Sequence, residues 1–316
     1  MIPSRLMTPQ MAKILCIAGP TASGKSSRAV AEALARDGEV VSVDSRQVYR
    51  GLDIGTEKMT AEEMHDIPHH LIDIRGPGES YSAGDFAKDA ARLIDDITAR
   101  GKLPILAGGT HFYFDALLYG LPEGTDENPA LRAELEKLPT EELYARVRSA
   151  DARRALALDP KNRRRLIRAL EIIESKGGVP ARPKAAPAYD AEWIIIDPPR
   201  EELRERIDAR LKGAFARGLI DEVRRVREEL AKPAKSGSPD ASDAFRADTR
   251  LDELGLEYKI VGEYLRGERT EASLLPALSA KLWQYARRQK AWLRKLRGEG
   301  TTGGVQDASR ASTRDE

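Results

Sequence analysis

Apolar residues form short unbroken runs in the first third of the chain and take helical spacing through most of the rest. The segments "KILCIAG" (13–19), "EVVSVDS" (39–45) and "LPILAGGT" (103–110) are aliphatic and β-branched, and each closes on glycine or small polar residues. Runs of this length without polar alternation predict strands buried on both faces. "HHLIDI" (69–74) is a further candidate strand. Between them, "KSSRAVAEALAR" (25–36) has helical composition and stops at Asp37-Gly38. "YSAGDFAKDAARLIDDITARGK" (81–102) sets Ser82 three residues before Asp85, a helix-start pairing. Strand, glycine loop, helix, strand is a βαβ unit, so the predicted class is α/β with a parallel sheet.

From about residue 121 the pattern changes. "NPALRAELEKL", "TEELYARVRS", "DARRALA" and "DPKNRRRLIRALEIIESKGG" all read as helices, the last opened by Asp159-Pro160 and closed by Gly177-Gly178. "EWIIID" (192–197) returns the chain to the sheet. The predicted organisation is an α/β core over 12–120 and 188–297, an all-helical insertion over 121–187 and a disordered tail over 298–316. Residues 200–230 predict helix with a break near Gly218, and the Pro-, Ser- and Asp-rich stretch 232–250 predicts a mobile loop. In "SAKLWQYARRQKAWLRKLR" (279–297), Leu282, Tyr285, Ala286, Gln289, Leu293 and Leu296 follow helical spacing.

Composition narrows the function classes. With 41% hydrophobic residues in 316, a sizeable core is affordable, and 33% charged residues nearly cancel to a net charge of +1. Any nucleic-acid contact therefore rests on local patches rather than overall charge. Two such patches exist: nine Lys or Arg against two acids between Arg146 and Arg168, and seven against none over 281–297. Either would neutralise phosphates or serve as a solvated helix face. The single cysteine, Cys16, excludes a disulfide framework, and the four histidines lack zinc-ligand spacing. No apolar stretch approaches a membrane span and the first residues carry no apolar leader region, so a cytoplasmic protein is expected.

The chemistry concentrates in "IAGPTASGKSS" (17–27). Gly19, four residues, then Gly24-Lys25-Ser26 is the phosphate-cradling pattern G-x-x-x-x-G-K-[ST] between a predicted strand and a predicted helix. Backbone N–H groups of 19–26 (Gly19, Pro20, Thr21, Ala22, Ser23, Gly24, Lys25, Ser26; proline alone has none) can converge on phosphate oxygens. Lys25 can reach the terminal phosphate, and the Ser26 hydroxyl can ligate Mg²⁺. The predicted core is thus P-loop NTPase-like. The loop alone does not separate kinases, ATPases and other transferases. Asp44 ends a strand, where a carboxylate can take a proton from a nucleophile or simply cap the next turn. Thr110, after Gly108-Gly109, can meet a phosphate oxygen or cap the following helix.

Together, "GPTASGKS", "DSRQVYRGLDIGTEK", "HHLIDI", "YSAGDF", "GGTHFYFDALL", "NRRRLIRALEI", "RIDARLKGAFARGLIDEV" and "YARRQKAWLRK" resemble the tRNA dimethylallyltransferases, over about residues 13 to 297. The resemblance implies transfer of a five-carbon prenyl group from dimethylallyl diphosphate to N6 of adenosine 37 in tRNA, with Mg²⁺ as cofactor and the tRNA anticodon stem-loop as partner of a monomeric enzyme. The phosphate loop would then hold a leaving group rather than a fuel. By the same resemblance, Asp44 orients the amine and takes its proton, Thr110 stands near the bridging oxygen, and Arg210 binds the diphosphate. Without the family, Arg210 reads as a helix-surface residue paired with Asp208 or Glu205. The implied tRNA contacts are Asp44, Ser45, Arg46, Gln47, Thr110, Arg132, Arg164, Arg165, Leu166, Ile167 and Arg168. Three departures stand out. Ser26 replaces the usual threonine, and His111 replaces a small residue, which would narrow the site. "LGLEYKIVGEYL" (254–265) replaces a segment like "IGYRE", so Tyr258 and Lys259 inherit no role. The rival readings are a P-loop small-molecule kinase and a non-catalytic RNA-binding protein.

Overall fold

The computed structural model describes residues 11–121, 128–180, 186–232, 241–298 and 305–307. The chain divides into two compact units, Met1–Leu118 with Pro187–Glu316, and Tyr119–Ala186.

The first unit is built on a parallel sheet. Its strands are β1 (Lys13–Ala18), β2 (Gly38–Val43), β3 (His69–His70), β4 (Leu103–Gly108), β5 (Asp190–Ile195) and β6 (Val305–Asp307), in the order β3-β2-β4-β1-β5-β6. β1 sits between β4 and β5, with Leu15 opposite Ile105 and Glu192. Every residue of β2, and all of β1 after Lys13, is buried, as the unbroken apolar runs require. Helix α1 (Lys25–Arg36) packs Ala29 and Ala33 against Leu15, Val40 and Ile105. Helix α2 (Ala83–Ala99) begins with a reciprocal capping box: Asp85 N donates to Ser82 Oγ at 3.1 Å, and Ser82 N donates to the Asp85 carboxylate at 2.8 Å.

Several boundaries differ from the pattern reading. β3 is only two residues long because Leu71 (φ 61°) and Asp73 (φ 56°) leave the extended region. Residues 241–250, read as mobile loop, belong to a helix, α10 (Ala241–Leu254). It buries Ala247 and Leu251, and Arg227 grips the Asp248 carboxylate with two hydrogen bonds of 2.6 and 3.0 Å. The rest of that stretch, 233–240, lies outside the described residues. Within the tail, Val305–Asp307 pairs with Trp193, Ile194 and Ile195 as a strand on the outer edge of β5. The helical segment 200–230 breaks where expected: α8 (Arg200–Ala216) and α9 (Leu219–Leu230) meet at Gly218 (φ 93°). Helices α3 (His111–Tyr119), α11 (Leu256–Leu265) and α12 (Leu274–Gly298) are also present. Trp292 of α12 stacks on His111 and meets Phe114 and Trp193, which fixes that helix over the sheet.

The second unit contains α4 (Pro129–Leu135), α5 (Thr140–Ala150), α6 (Ala152–Leu156) and α7 (Arg163–Lys176). Leu143, Val147, Ala155, Leu166, Ile167 and Ala169 form its core. α7 starts later than Asp159-Pro160 predicts: Asn162 is its cap, accepting from Arg165 N at 3.2 Å, and Gly177 (φ 72°) ends it.

Candidate active site

In parallel sheets, functional groups collect beyond the carboxyl ends of the strands. Three loops meet there. After β1 comes the loop 19–24, after β2 comes Asp44, and after β4 come Gly109 and Thr110. Residues 21–26, Asp44 and Gly109 of these loops line a cleft of about 250 Å³ together with Arg46, Gln47, Arg210, Tyr285 and Gln289, among others; Thr110 is not among the lining residues.

The loop's shape depends on left-handed residues at Ala22 (φ 60°) and Gly24 (φ 87°), which turn the chain into the N-terminus of α1. At Gly19 a side chain would meet Ile196 O and Ser23 Oγ at 2.6 Å, so only glycine fits. Lys25 Nζ donates to Pro20 O at 2.5 Å. Burial of its ammonium pulls the Lys25 pKa down to about 8; Asp44 opposes that shift and Arg210 adds to it. Ser26 is exposed at the helix start.

Asp44, which also lines the cleft, accepts through Oδ1 from Arg46 N (2.8 Å) and Gln47 N (3.3 Å). Asp44 therefore shapes the 44–47 turn while its carboxylate faces the cleft; the capping and chemical roles coexist. Thr110 Oγ1 accepts from Ser45 N at 3.2 Å, tying the β2 and β4 loops together. Gln47 spans outward, with Nε2 donating to Thr56 O at 3.1 Å and Oε1 accepting from Ser42 Oγ at 2.9 Å.

Arg210 turns from α8 into the cleft instead of pairing with Asp208 or Glu205. Its Nη1 donates to Thr21 Oγ1, and Nη2 reaches Gly55 O (3.3 Å) and Glu257 Oε1 (3.4 Å). Arg46 Nη1 donates to Glu257 Oε2 at 2.5 Å. Burial weighs against the Arg46 charge, but Glu257 and then Asp44 raise its pKa overall.

Pattern reading missed four contributors. Gln289 Oε1 accepts from Thr21 N (2.8 Å) and its Nε2 donates to Gly109 O (2.9 Å), so one amide joins the phosphate loop to the β4 loop. Helical spacing identified Gln289 as a packing position of α12 but not its bonding. Glu222, only 2% exposed, accepts from the backbone N–H groups of Asp53 (2.9 Å), Ile54 (2.6 Å) and Gly55 (2.9 Å), and from the Tyr258 hydroxyl (2.8 Å). Glu222 and Tyr258 thereby hold the segment whose residues 56–59 line the cleft. Burial, reinforced by Glu222, raises the Tyr258 pKa well above the ordinary tyrosine range. Glu257, 1% exposed, is the fourth. Nothing in the spacing of a charged helix marks which glutamate faces inward. His111 departs from expectation too. It stacks on Trp292 at 4.4 Å and does not line the cleft, so it does not narrow it. Burial, with Lys25 nearby, lowers its pKa to about 4, leaving the ring neutral at pH 7.

In the helical unit, Arg164 and Arg165 are exposed at the start of α7. Arg168 Nη1 donates to Glu171 at 2.9 Å, and Arg132 Nε lies 3.6 Å from the other oxygen of the same carboxylate. Leu166 and Ile167 are core residues (0% and 3% exposed), so their side chains are not offered to a ligand. Arg163 is structural: it donates to Leu135 O and Thr140 Oγ1 at 3.4 Å and to Glu136 O.

Among the described residues no cluster of three His, Cys, Asp or Glu could hold a metal, and no helix is long and apolar enough to cross a membrane. The cleft offers amide donors, Lys25 and Arg210 together with the Asp44 carboxylate. That arrangement can stabilise a departing phosphate and accept a proton from an incoming group.

Comparison with known proteins agrees in extent and in fold. A family model described as IPP transferase matches residues 47–296, so the phosphate loop and Asp44 lie before the matched region. A tRNA dimethylallyltransferase of Anaeromyxobacter sp. (strain K) is 42% identical over 297 residues, covering 90% of this chain and 91% of its own. The crystal structure of a Bacillus halodurans tRNA isopentenylpyrophosphate transferase superposes with a TM-score of 0.65 at 35% identity, over 94% of this chain and 90% of that one. A eukaryotic dimethylallyltransferase, solved in crystallographic snapshots acting on tRNA, gives a TM-score of 0.78 at 25% identity, over 95% of this chain and 75% of that one. With a match across most of its length and relatives at this identity, the chain belongs to the IPP transferase family of tRNA dimethylallyltransferases.

Proposed function

We propose that this protein transfers the dimethylallyl group of dimethylallyl diphosphate to N6 of adenosine 37 in tRNA, acting as a monomer in the cytoplasm. The observation that carries the reading is that one cleft is lined both by a phosphate cradle with Lys25 and Arg210 and by the Asp44 carboxylate. The diphosphate lies in the loop 19–26, where backbone N–H groups, Lys25 and Arg210 take up the charge that grows as the allylic C–O bond breaks. An exocyclic amine is a weak nucleophile, so the leaving-group side carries most of the acceleration. As the new C–N bond forms, Asp44 accepts the N6 proton and passes it to solvent. Thr110, bonded to Ser45 N, orients its hydroxyl toward the bridging oxygen.

Mg²⁺ fits the donors available. Ser26 supplies a hydroxyl, and magnesium commonly takes few protein ligands with the remainder from water and phosphates. When bound, the ion would neutralise diphosphate charge. On the RNA side, exposed Arg164 and Arg165, with Arg132 and Arg168 set around Glu171, offer cations to the anticodon stem-loop; Leu166 and Ile167 contribute main chain at most. Arg46 and Gln47 flank the acceptor base. A target adenine must leave its stack to be reached, and an anticodon loop allows this at low cost.

The test is incubation with labelled dimethylallyl diphosphate or ATP, with and without bulk tRNA, followed by mass spectrometry of position 37. Prenylated adenosine 37 with released diphosphate is expected. ATP turnover without prenylation would establish the kinase reading instead, and tRNA binding without either reaction would establish a non-catalytic binder.

A further inference from the structure

Arg46 lies on the β2 loop and Arg210 on α8, 164 positions apart in sequence, yet both reach one carboxylate. Glu257 gives Oε2 to Arg46 at 2.5 Å and Oε1 to Arg210 at 3.4 Å, and is 1% exposed. It lies in the first turn of α11, behind Gly255 (φ 71°) and Leu256 (φ 43°), whose left-handed backbone sets where the helix begins. The next residue, Tyr258, bonds Glu222, which fixes the amides of residues 53–55; Arg210 in turn donates to Gly55 O. α11 thus reaches the cleft wall through two successive side chains. Glu257 is not itself among the residues lining the cleft, whereas both arginines are.

A buried carboxylate between two cations is a poor way to gain stability, because desolvation offsets most of the attraction. Its geometric effect is larger. Lys25, Arg46, Lys58 and Arg210 all line the cleft. Glu57 also stands 3.6 Å from Arg210 Nε, but Glu257 is a carboxylate that both guanidiniums reach, and without it they would repel each other and lose that common anchor. We propose that Glu257 is a positioning residue that holds the acceptor-side Arg46 and the diphosphate-side Arg210 in fixed register through its two oxygens, so that both substrates meet in reactive alignment. This rests on the reading of the cleft as a prenyl-transfer site.

Two variants test it. Glu257→Gln keeps shape but removes the charge. Glu257→Asp keeps the buried charge, and so the fold, but its shorter arm reaches one arginine only. For both, turnover at saturating dimethylallyl diphosphate and tRNA should fall by about ten- to a hundredfold, the range that loss of alignment produces. Pyrophosphate affinity, measured by calorimetry, should be unchanged or up to several-fold tighter in Glu257→Gln, since a negative charge beside an anion site has gone. Thermal unfolding identifies folded material, and should Glu257→Gln not fold, Glu257→Asp decides alone. Turnover within twofold of wild type in the folded variants overturns the proposal. So does weakened pyrophosphate binding with unchanged turnover, which would make Glu257 part of the binding wall only. Absence of prenyl transfer by the wild-type enzyme would instead overturn the functional reading.

Discussion

Lys25 offers the sharpest quantitative test of the cleft. Its ammonium is buried, and its pKa falls from 10.5 to about 8, a change equivalent to about 3 kcal/mol against the charged form. A bound diphosphate would supply the missing counter-charge and keep Lys25 protonated well above pH 8. The sign follows directly. Below pH 8 the free protein already carries the charge and affinity is at its plateau; above pH 8 binding must first recover a proton. Affinity for dimethylallyl diphosphate should therefore drop by about tenfold at pH 9 and about a hundredfold at pH 10, relative to pH 7. The ester is a better probe than pyrophosphate, since a phosphate ester's own ionisation, near pH 6, is complete in this range.

Calorimetry between pH 7 and 10 reads the profile, and titrations in buffers of different ionisation enthalpy should show uptake of about one proton near pH 9. The causes of the shift can be separated. Arg210 lowers the Lys25 pKa and Asp44 raises it. Arg210→Met should move the midpoint upward even as overall affinity weakens, and Asp44→Asn should move it downward. Affinity flat to pH 10, or midpoints moving in the same direction in the two variants, would refute the placement of Lys25 against the diphosphate.

Asp44→Asn should preserve tRNA affinity, because asparagine can still accept from Arg46 N and Gln47 N, while the single-turnover rate falls by about a hundredfold or more; a near wild-type rate would remove Asp44 from proton transfer. Glu222→Gln places an NH₂ group among donors that need an acceptor, and should cost about 1–3 kcal/mol in urea unfolding, with an unchanged midpoint refuting the clamp. Arg164→Ala combined with Arg165→Ala should flatten the salt dependence of tRNA binding by about one to two units and leave dimethylallyl diphosphate affinity unchanged; identical slopes across a salt series would make the α7 start a solvated face.

Groups fixed by local rules were legible before the fold was known. A strand, a glycine loop and a helix in sequence locate Lys25 and Ser26, and the strand-end rule locates Asp44 and Thr110. Glu222, Glu257 and Gln289 obey no local rule. Glu222 and Glu257 lie on helices of mixed charge and Gln289 on a basic one, and only the packing of α9, α11 and α12 decides which polar side chain turns inward. Arg210 shows the same limit, since its sequence neighbours Asp208 and Glu205 are equally good partners on a helix surface. Low complexity misled over 241–250, where Ala247, Leu251 and the Arg227–Asp248 pair order a segment whose composition reads as loop. Resemblance carried Leu166 and Ile167 into an RNA-contact segment; their burial follows from the apolar stripe of α7 itself.

The helical unit enters at a place where the sheet does not register its presence. Ala188 N donates to Leu118 O at 2.9 Å, so the chain leaves the first unit and returns to it at adjoining residues, and β1 pairs in register with β4 before the insertion and with β5 after it. Joining neighbouring ends with a long segment adds little closure entropy, which is why such a site tolerates a whole unit. Every residue that lines the cleft belongs to the first unit. The two units nevertheless share one device. Glu171 in the helical unit meets Arg168 and Arg132 with its two oxygens, as Glu257 meets Arg46 and Arg210 in the first. A buried glutamate between two arginines leaves one net positive charge with its direction set, at some expense in stability. In a protein with almost no net charge, cations fixed in this way give local positive potential a direction that an overall positive field would lack.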